Sequence, residues 1–149
     1  MVLEQTFIIC KPEAVKRRLV GEIISRFERK GLYINNIKFF KPTKEQVENH
    51  YEEHKDKPFF NKIVKSVSSG FVCAFVLEGN NAVSVARTLI GETNPVKSCP
   101  GSIRGDFGLN TGKNLIHGAD SVESAKREIK IFMGELNKIE YFDEDLIYE

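Results

Sequence analysis

The chain has no tryptophan, only three cysteines and no long hydrophobic run. Cys10, Cys73 and Cys99 form no paired spacing, which argues against a disulfide scaffold and favours a reducing compartment. No apolar stretch approaches the roughly 20 residues that cross a bilayer as a helix. The first five residues lack the basic start and the apolar run of a secretory signal. We therefore expect a cytoplasmic protein without a membrane partner.

A strong charge of either sign is also absent. The 22 Lys and Arg residues offset 21 Asp and Glu residues, leaving a net charge of +1. Dedicated nucleic-acid binders are usually clearly basic, so we expect no dedicated nucleic-acid binding. The 149 residues, 41% of them hydrophobic and eleven of them Phe, suffice for one domain with a full core. We expect a single domain over residues 1–149.

Apolar runs and helical stripes alternate along the chain. Continuous apolar runs predict strands at 6–10, 32–40, 71–77 and directly before His117. Helical spacing predicts helices at 20–30, 43–54, 60–67, 83–90 and 122–132, and Thr43 with Gln46 forms a capping-box pattern. This order fits an α+β fold of the ferredoxin-like βαββαβ type, a sandwich with a four-stranded antiparallel sheet and added helices.

His117 stands between a short apolar run and the last predicted helix. Asp120 with Glu123 predicts a capping box at the start of that helix. Helix-terminal N–H groups favour phosphate, and Glu128, two turns along, could fold back to orient the imidazole. The pattern indicates a nucleophilic or acid–base histidine with a carboxylate partner. A histidine simply packed at a strand end is the alternative.

Residues 91–113 show no clear periodicity and contain five glycines and two prolines. Structureless segments of this length inside a domain are usually functional or disordered, and we expect an ordered functional loop. It carries several groups that bind phosphate oxygens, namely Thr93, Lys97, Arg104 and Lys113. Lys11 and Arg87 could join them around a polyphosphate. From spacing alone, unrelated solvated cations are the alternative.

Two further motif matches are rejected. Residues 108–114 look like a phosphate-binding P-loop, but the glycines are one residue too close and the segment precedes a strand instead of a helix. Residues 50–54 match the H-x-x-E-H pattern of inverted zinc peptidases. No third ligand is evident, and the predicted helix is polar and ends at Pro58, so we expect an exposed helix with two solvated histidines, His50 and His54.

Residues 114–125 (NLIHGADSVESA) closely resemble the active-site signature of nucleoside diphosphate kinases. The resemblance covers essentially the whole chain. It includes several independent motifs in the same order: 6–12 (TFIICKP), 21–27 (GEIISRF), 50–51 with 57–60 (HY and KPFF), 91–95 (GETNP) and 100–107 (PGSIRGDF).

The resemblance implies transfer of the γ-phosphate of a nucleoside triphosphate to a nucleoside diphosphate, by a ping-pong mechanism through a phosphohistidine. His117 matches the phosphorylated residue and Glu128 the carboxylate that orients it. The groups that match the phosphate contacts are Lys11, Tyr51, Arg87, Thr93 and Arg104. Asn114 matches a ribose contact together with Lys11, and Phe59 matches the ring that stacks on the base. Mg2+ is implied as an ion that arrives on the nucleotide phosphates, with no metal held by the protein.

The chain also departs from the family pattern. Ala119 replaces the serine that is usual two residues after the active histidine, which removes a hydroxyl beside His117 and Glu128. A catalytically weak relative that acts as a binding or scaffold protein is therefore the alternative function. Residues 141–149 resemble the tail of the longer eukaryotic form, which implies a homohexamer.

Overall fold

The computed structural model describes residues 3–139, and its centre is a four-stranded antiparallel sheet. The strands are β1 (Leu3–Cys10), β2 (Tyr33–Phe40), β3 (Val72–Asn80) and β4 (Ile116–Gly118), arranged in the order β2-β3-β1-β4. The predicted ferredoxin-like α+β fold is confirmed, and β3 is a central strand, as its unbroken apolar run suggests. Within residues 3–139, no helix is both long and apolar enough to cross a membrane.

Seven α-helices connect and cover the described strands. They are α1 (Pro12–Lys16), α2 (Val20–Lys30), α3 (Lys44–His50), α4 (Phe60–Val67), α5 (Ala82–Ile90), α6 (Ile103–Phe107) and α7 (Val122–Phe132). Three short 3-10 turns lie at Glu52–His54, Pro95–Lys97 and Thr111–Lys113. Residues 91–113 are therefore ordered, but they contain a short helix and two 3-10 turns where the sequence predicts only loop.

Several helix boundaries follow the local side-chain chemistry. Thr43 and Gln46 form the predicted capping box at the start of α3, with each side chain bonded to the other's backbone N–H. The expectation that this helix continues to residue 54 is wrong, because α3 ends at His50 and a 3-10 turn follows. The capping box predicted for α7 at Asp120 is also wrong: the Ser121 side chain caps that helix by accepting a hydrogen bond from the Ser124 N–H.

The sheet buries apolar side chains on both faces because successive residues point to opposite sides. On one face, Ile8 and Phe75 pack with Phe27 of α2, and the Phe27 and Phe75 rings meet edge to face at 6.0 Å. On the other face, Phe7 stacks on Phe132 of α7 with ring centroids 5.8 Å apart. The second face holds α7 against β1 and thereby positions Glu128 beside the strand that carries His117.

The Phe75 side chain is fully buried at the centre of the sheet. We expect Phe75→Ala to lower the free energy of unfolding by about 3–5 kcal/mol, because it leaves a cavity in a packed core. Phe75→Leu should cost clearly less, since it retains most of the buried volume. Urea denaturation followed by circular dichroism measures both, and equal losses for the two variants would contradict this account of the core.

Candidate active site

The predicted pair of His117 and Glu128 meets at the junction of β4 and α7. Strand β4 pairs His117 with Ile9 of β1, and α7 places Glu128 behind the imidazole. The Nε2 atom of His117 is hydrogen-bonded to Oε1 of Glu128, and Glu128 is 3% exposed. When a neutral imidazole donates from Nε2 to a carboxylate, the free lone pair lies on Nδ1. This geometry therefore leaves Nδ1 as the nitrogen with an available lone pair.

The environment keeps this imidazole uncharged. Burial, and then the positive charges of Lys11, Arg104 and Arg87, lower the pKa of His117 well below its usual value. Burial raises the pKa of Glu128. A neutral histidine is the nucleophilic form, so His117 does not have to lose a proton before it can react.

Arg104 is buried, and backbone carbonyls hold it. Its guanidinium donates hydrogen bonds to the carbonyl oxygens of Asn114, Gly91 and Ile116, at 3.2, 3.3 and 2.6 Å. Burial and then the nearby charge of Arg87 lower the pKa of Arg104 to about 10. Because carbonyl groups carry no formal charge, the positive charge of Arg104 is oriented but not neutralised.

Lys11 and Arg87 follow the same pattern. The Lys11 ammonium donates to the side-chain oxygen of Asn114 at 2.8 Å, and Arg87 donates to the carbonyl of Gly118 at 3.1 Å. Burial is the largest effect that lowers the pKa of Lys11, to about 8, with Arg104 adding to it and Glu13 opposing it. Across residues 3–139, neither cation nor Arg104 forms an ion pair with a carboxylate. Three positive charges without a directly paired carboxylate therefore lie near His117.

The 91–113 segment is fixed by its own polar contacts. Asn114 donates from its side-chain nitrogen to the carbonyl of Thr93 at 3.2 Å, which connects Thr93 to the Lys11–Asn114 contact. A side chain at Gly105 would meet the backbone oxygen of Cys99 at 2.0 Å, so only glycine fits that turn. Lys97 and Lys113, also considered from the sequence, are exposed.

Close packing fixes the distance between α5 and β4. A Cβ atom on Gly118 would lie 2.5 Å from the Cδ1 atom of Ile90 and 3.9 Å from the Cδ atom of Arg87. The glycine directly after His117 therefore lets the helix that carries Arg87 approach the strand closely.

Tyr51 and Phe59 flank the 3-10 turn that lies between α3 and α4. Tyr51 follows α3, and burial raises the pKa of its hydroxyl, which stays a protonated hydrogen-bond donor. Phe59 directly precedes α4, is 45% exposed, and lies 5.9 Å from the ring of His54. The Phe59 ring therefore lies at the surface. The hydrogen bonds that connect Lys11, Asn114 and Thr93 do not involve it.

His50 is the residue that the sequence misplaces. It is 5% exposed instead of solvated, its ring lies 4.5 Å from that of His117, and its Nδ1 atom is 3.9 Å from Oε1 of Glu128. Because α3 ends at His50, His50 and His54 do not share a helix face. The spacing between buried Val47 and His50 was the available signal, since residues three apart lie on one side of a helix.

Comparisons with known proteins agree with this arrangement. The family model described as nucleoside diphosphate kinase matches residues 4–137. The chain is 52% identical over 149 residues to a nucleoside diphosphate kinase of Archaeoglobus fulgidus and covers 99% of each chain. It is 49% identical over 152 residues to one of Schizosaccharomyces pombe, covering all of both chains.

Solved structures give the same result. The crystal structure of the Encephalitozoon cuniculi nucleoside diphosphate kinase superimposes with a TM-score of 0.95 at 49% identity, over 97% of this chain and 99% of that one. A Halobacterium salinarum nucleoside diphosphate kinase in complex with CDP gives a TM-score of 0.94 at 41% identity, over 98% and 99% of the two chains. The full-length matches place the chain in the nucleoside diphosphate kinase family, and the His117–Glu128 pair with the cations around it agrees with that assignment.

Proposed function

We propose that this enzyme moves the γ-phosphoryl group of a nucleoside triphosphate to a nucleoside diphosphate through a phosphohistidine on Nδ1 of His117. The observation that carries the proposal is the hydrogen bond from Nε2 to Glu128, because it orients the ring and leaves the Nδ1 lone pair free. Phosphoryl transfer needs positioning and charge stabilisation more than covalent machinery, and the site offers both.

In the first half-reaction, the Nδ1 lone pair forms a bond to the γ-phosphorus. The bond from that phosphorus to the bridging oxygen breaks, and its electron pair leaves with the nucleoside diphosphate. The ring gains positive charge as the N–P bond forms, and the carboxylate of Glu128, bonded at Nε2, stabilises that charge. A second diphosphate takes the phosphoryl group by the reverse sequence, which is a ping-pong mechanism.

The remaining predicted residues bind the nucleotide in this proposal. Lys11, Arg87 and Arg104 contact phosphate oxygens because their charges are oriented and unpaired. Tyr51 and Thr93 contribute hydroxyl donors, Asn114 binds the ribose together with Lys11, and Phe59 stacks on the base. Stacking does not read the edges of a base, so it accepts purines and pyrimidines alike. The CDP in the Halobacterium salinarum relative is consistent with a site open to pyrimidines.

The donor set fits Mg2+ bound to the nucleotide. Mg2+ takes oxygen ligands and usually binds through substrate phosphates and water. Around His117 the protein supplies mainly cations, and its buried carboxylate, Glu128, is already bonded to the imidazole. When bound, the ion neutralises phosphate charge, while the protein side chains position the reacting atoms.

A non-catalytic scaffold role is the weaker candidate. A buried carboxylate and a buried guanidinium without an ion-pair partner, those of Glu128 and Arg104, destabilise a fold, so a protein without chemistry to perform would gain by losing them. Ala119 is 1% exposed and its backbone N–H donates to the carbonyl of Phe7 at 3.0 Å, so the missing family hydroxyl leaves the local backbone bonded. We propose an active enzyme in spite of that departure.

Self-association and location follow from similar arguments. Exposed apolar side chains lie on edge strand β2 and in the 91–113 segment, among them Ile37, Phe39, Val96 and Leu109. Such exposure is typical of an interface, and we propose the homohexamer that the family resemblance implies. Residues 141–149, which also suggest it, lie outside the described residues. A cytoplasmic location is proposed by analogy with a Dictyostelium discoideum relative named cytosolic, and the single domain over 1–149 stays a prediction.

The nucleophile can be tested by phosphoenzyme formation with γ-labelled ATP. Wild type should form an acid-labile, base-stable adduct, and His117→Ala should form none, because the chain loses the proposed attacking nitrogen. The matched control is His54→Ala, which removes an imidazole outside the His117–Glu128 pair and should still be labelled. Normal turnover by His117→Ala would refute the assignment.

The guanidinium groups of Arg87 and Arg104 should contribute to the transition state. We expect Arg87→Ala or Arg104→Ala to cost about 2–4 kcal/mol, a fall of roughly 30- to 1,000-fold in kcat/KM, as for other preorganised charge donors. Because Arg104 also bonds three backbone carbonyls, urea denaturation of each variant serves as the control for folding. A loss of tenfold or less in a folded variant would make that arginine a bystander.

Phe59 should determine base affinity without base selectivity. We expect Phe59→Ala to weaken binding of all nucleoside diphosphates together by ~1–3 kcal/mol, because each loses one stacking contact. Inorganic pyrophosphate, which has no base, serves as the control ligand and should bind almost unchanged. Isothermal titration with ADP, GDP, CDP and pyrophosphate measures this, and selective loss of one base would indicate edge recognition instead.

A further inference from the structure

His50 is buried without satisfying its polar atoms. It is 5% exposed, and neither Nδ1 nor Nε2 has a hydrogen-bond partner within the described part of the chain. Buried polar groups are normally paired, and an unpaired one costs free energy. The Nδ1 atom faces Oε1 of Glu128 at 3.9 Å, just beyond hydrogen-bond distance. This imidazole is therefore aimed at the site without being used by the phosphoryl-transfer chemistry.

Together with its neighbours, His50 forms a metal-ligand set. One ligand atom from each of His50, His117 and Glu128 lies within 4.8 Å of the other two. Two imidazole nitrogens and one carboxylate oxygen form a common protein ligand set for Zn2+, with the fourth position left to water or substrate. The three residues come from the end of α3, from β4 and from α7, so separate elements of the fold converge on one point.

We propose that His50, His117 and Glu128 bind a zinc-class divalent cation in the nucleotide-free enzyme, and that this cation and the phosphoryl group exclude each other at His117. The second half of the proposal rests on the proposed function of His117, whereas the metal site itself does not. The nitrogen ligands select Zn2+ over Mg2+, which prefers oxygen ligands, so the Mg2+ that accompanies the nucleotide does not occupy this site.

The exclusion follows from the two nitrogens of one imidazole. The cation takes the Nε2 lone pair of His117, and the proton that Nε2 carried moves to Nδ1. Glu128 exchanges its hydrogen bond for a bond to the cation, and His50 binds through Nδ1 while keeping its proton on Nε2. No proton is gained or lost overall. With a proton on Nδ1, that atom has no lone pair with which to attack phosphorus.

Neighbouring charges oppose the cation and set a limit on its affinity. Lys11 acts electrostatically on both imidazoles, Arg87 and Arg104 act on His117, and Arg127 acts on His50, while the negative charge of Asp120 acts on His117 in the opposite sense. The positive charges weaken zinc binding relative to the same ligands in neutral surroundings. Removing one of these positive charges should therefore strengthen zinc binding, whereas removing a zinc ligand should weaken it.

The test uses the full-length protein without nucleotide, with Cys99→Ser introduced throughout, because Cys99 is an exposed thiol that could bind zinc. Zinc chloride is titrated calorimetrically, and the imidazole C–H signals of the three histidines in the chain are followed by NMR. We expect one zinc per chain, with the His50 and His117 signals shifting and the His54 signal unmoved.

Three variants sharpen the result. His50→Gln should weaken zinc binding by about 100-fold or more, at least as much as loss of a metal's outer contacts. His54→Gln, the matched control, should bind as wild type does. Lys11→Gln should bind several-fold more tightly. Unchanged affinity in folded His50→Gln, or a shift of the His54 signal, would overturn the site. If His50→Gln does not fold, the histidine signals of the wild-type protein decide alone.

The competition is tested on the phosphoenzyme. Protein phosphorylated with ATP and freed of nucleotide should bind zinc at least tenfold more weakly than unphosphorylated protein. Equal affinity would refute the exclusion while leaving the metal site standing. If His117→Ala were still phosphorylated, the proposed function would fail instead, and the titration and NMR results would decide the metal site independently.

Discussion

The hydrogen bond between Glu128 and His117 organises the site, because each partner would be unfavourable alone. A carboxylate that is 3% exposed is costly to bury, and an imidazole in the middle of a three-residue strand has little else to fix it. Helix α7 resolves both difficulties when it packs against β1 through Phe132. Core packing on one face of the sheet thus determines which nitrogen of His117 is bonded to Glu128 and which is left without a partner from that residue.

The cations around His117 are restrained in a way that preserves their charge. Had carboxylates held Arg104 and Lys11, the same geometry would have resulted, but the positive potential would have been cancelled. Backbone carbonyls and the amide of Asn114 orient these groups without that cancellation. The ordering of residues 91–113 is necessary for this, since that segment supplies both Arg104 and a carbonyl that it bonds.

Sequence patterns predicted the strands and helices that are long enough to show a repeating spacing of apolar residues. The sheet, the long helices and the Thr43 capping box follow from apolar spacing and from cap chemistry. Helix α6 escaped detection because five residues are too few to show a period. At the start of α7, Asp120 and Ser121 are both favourable N-cap residues. The backbone conformation after β4 determines that Ser121 takes this position.

The site residues show a similar division. His117 and Glu128 could be paired from the sequence, because a helix fixes their separation once its start is known. For His50 the sequence offered only its spacing from Val47, since its place beside His117 depends on where α3 ends relative to a strand far along the chain. The role of Asn114 came from family resemblance alone, and no local pattern indicates it.

The absence of a side chain at Gly118 allows α5 to pack directly against β4. Ile90 fills the space where any other residue would place its first carbon, and Arg87 lies on the same helix one turn earlier. The spacing between α5 and β4 is therefore limited by atomic contact at Gly118, and the Arg87 side chain extends from a helix held at that spacing. A combinatorial library that varied the residues around His117 would need to leave position 118 untouched, since a larger residue there would have to displace the Ile90 side chain or move α5 away from β4.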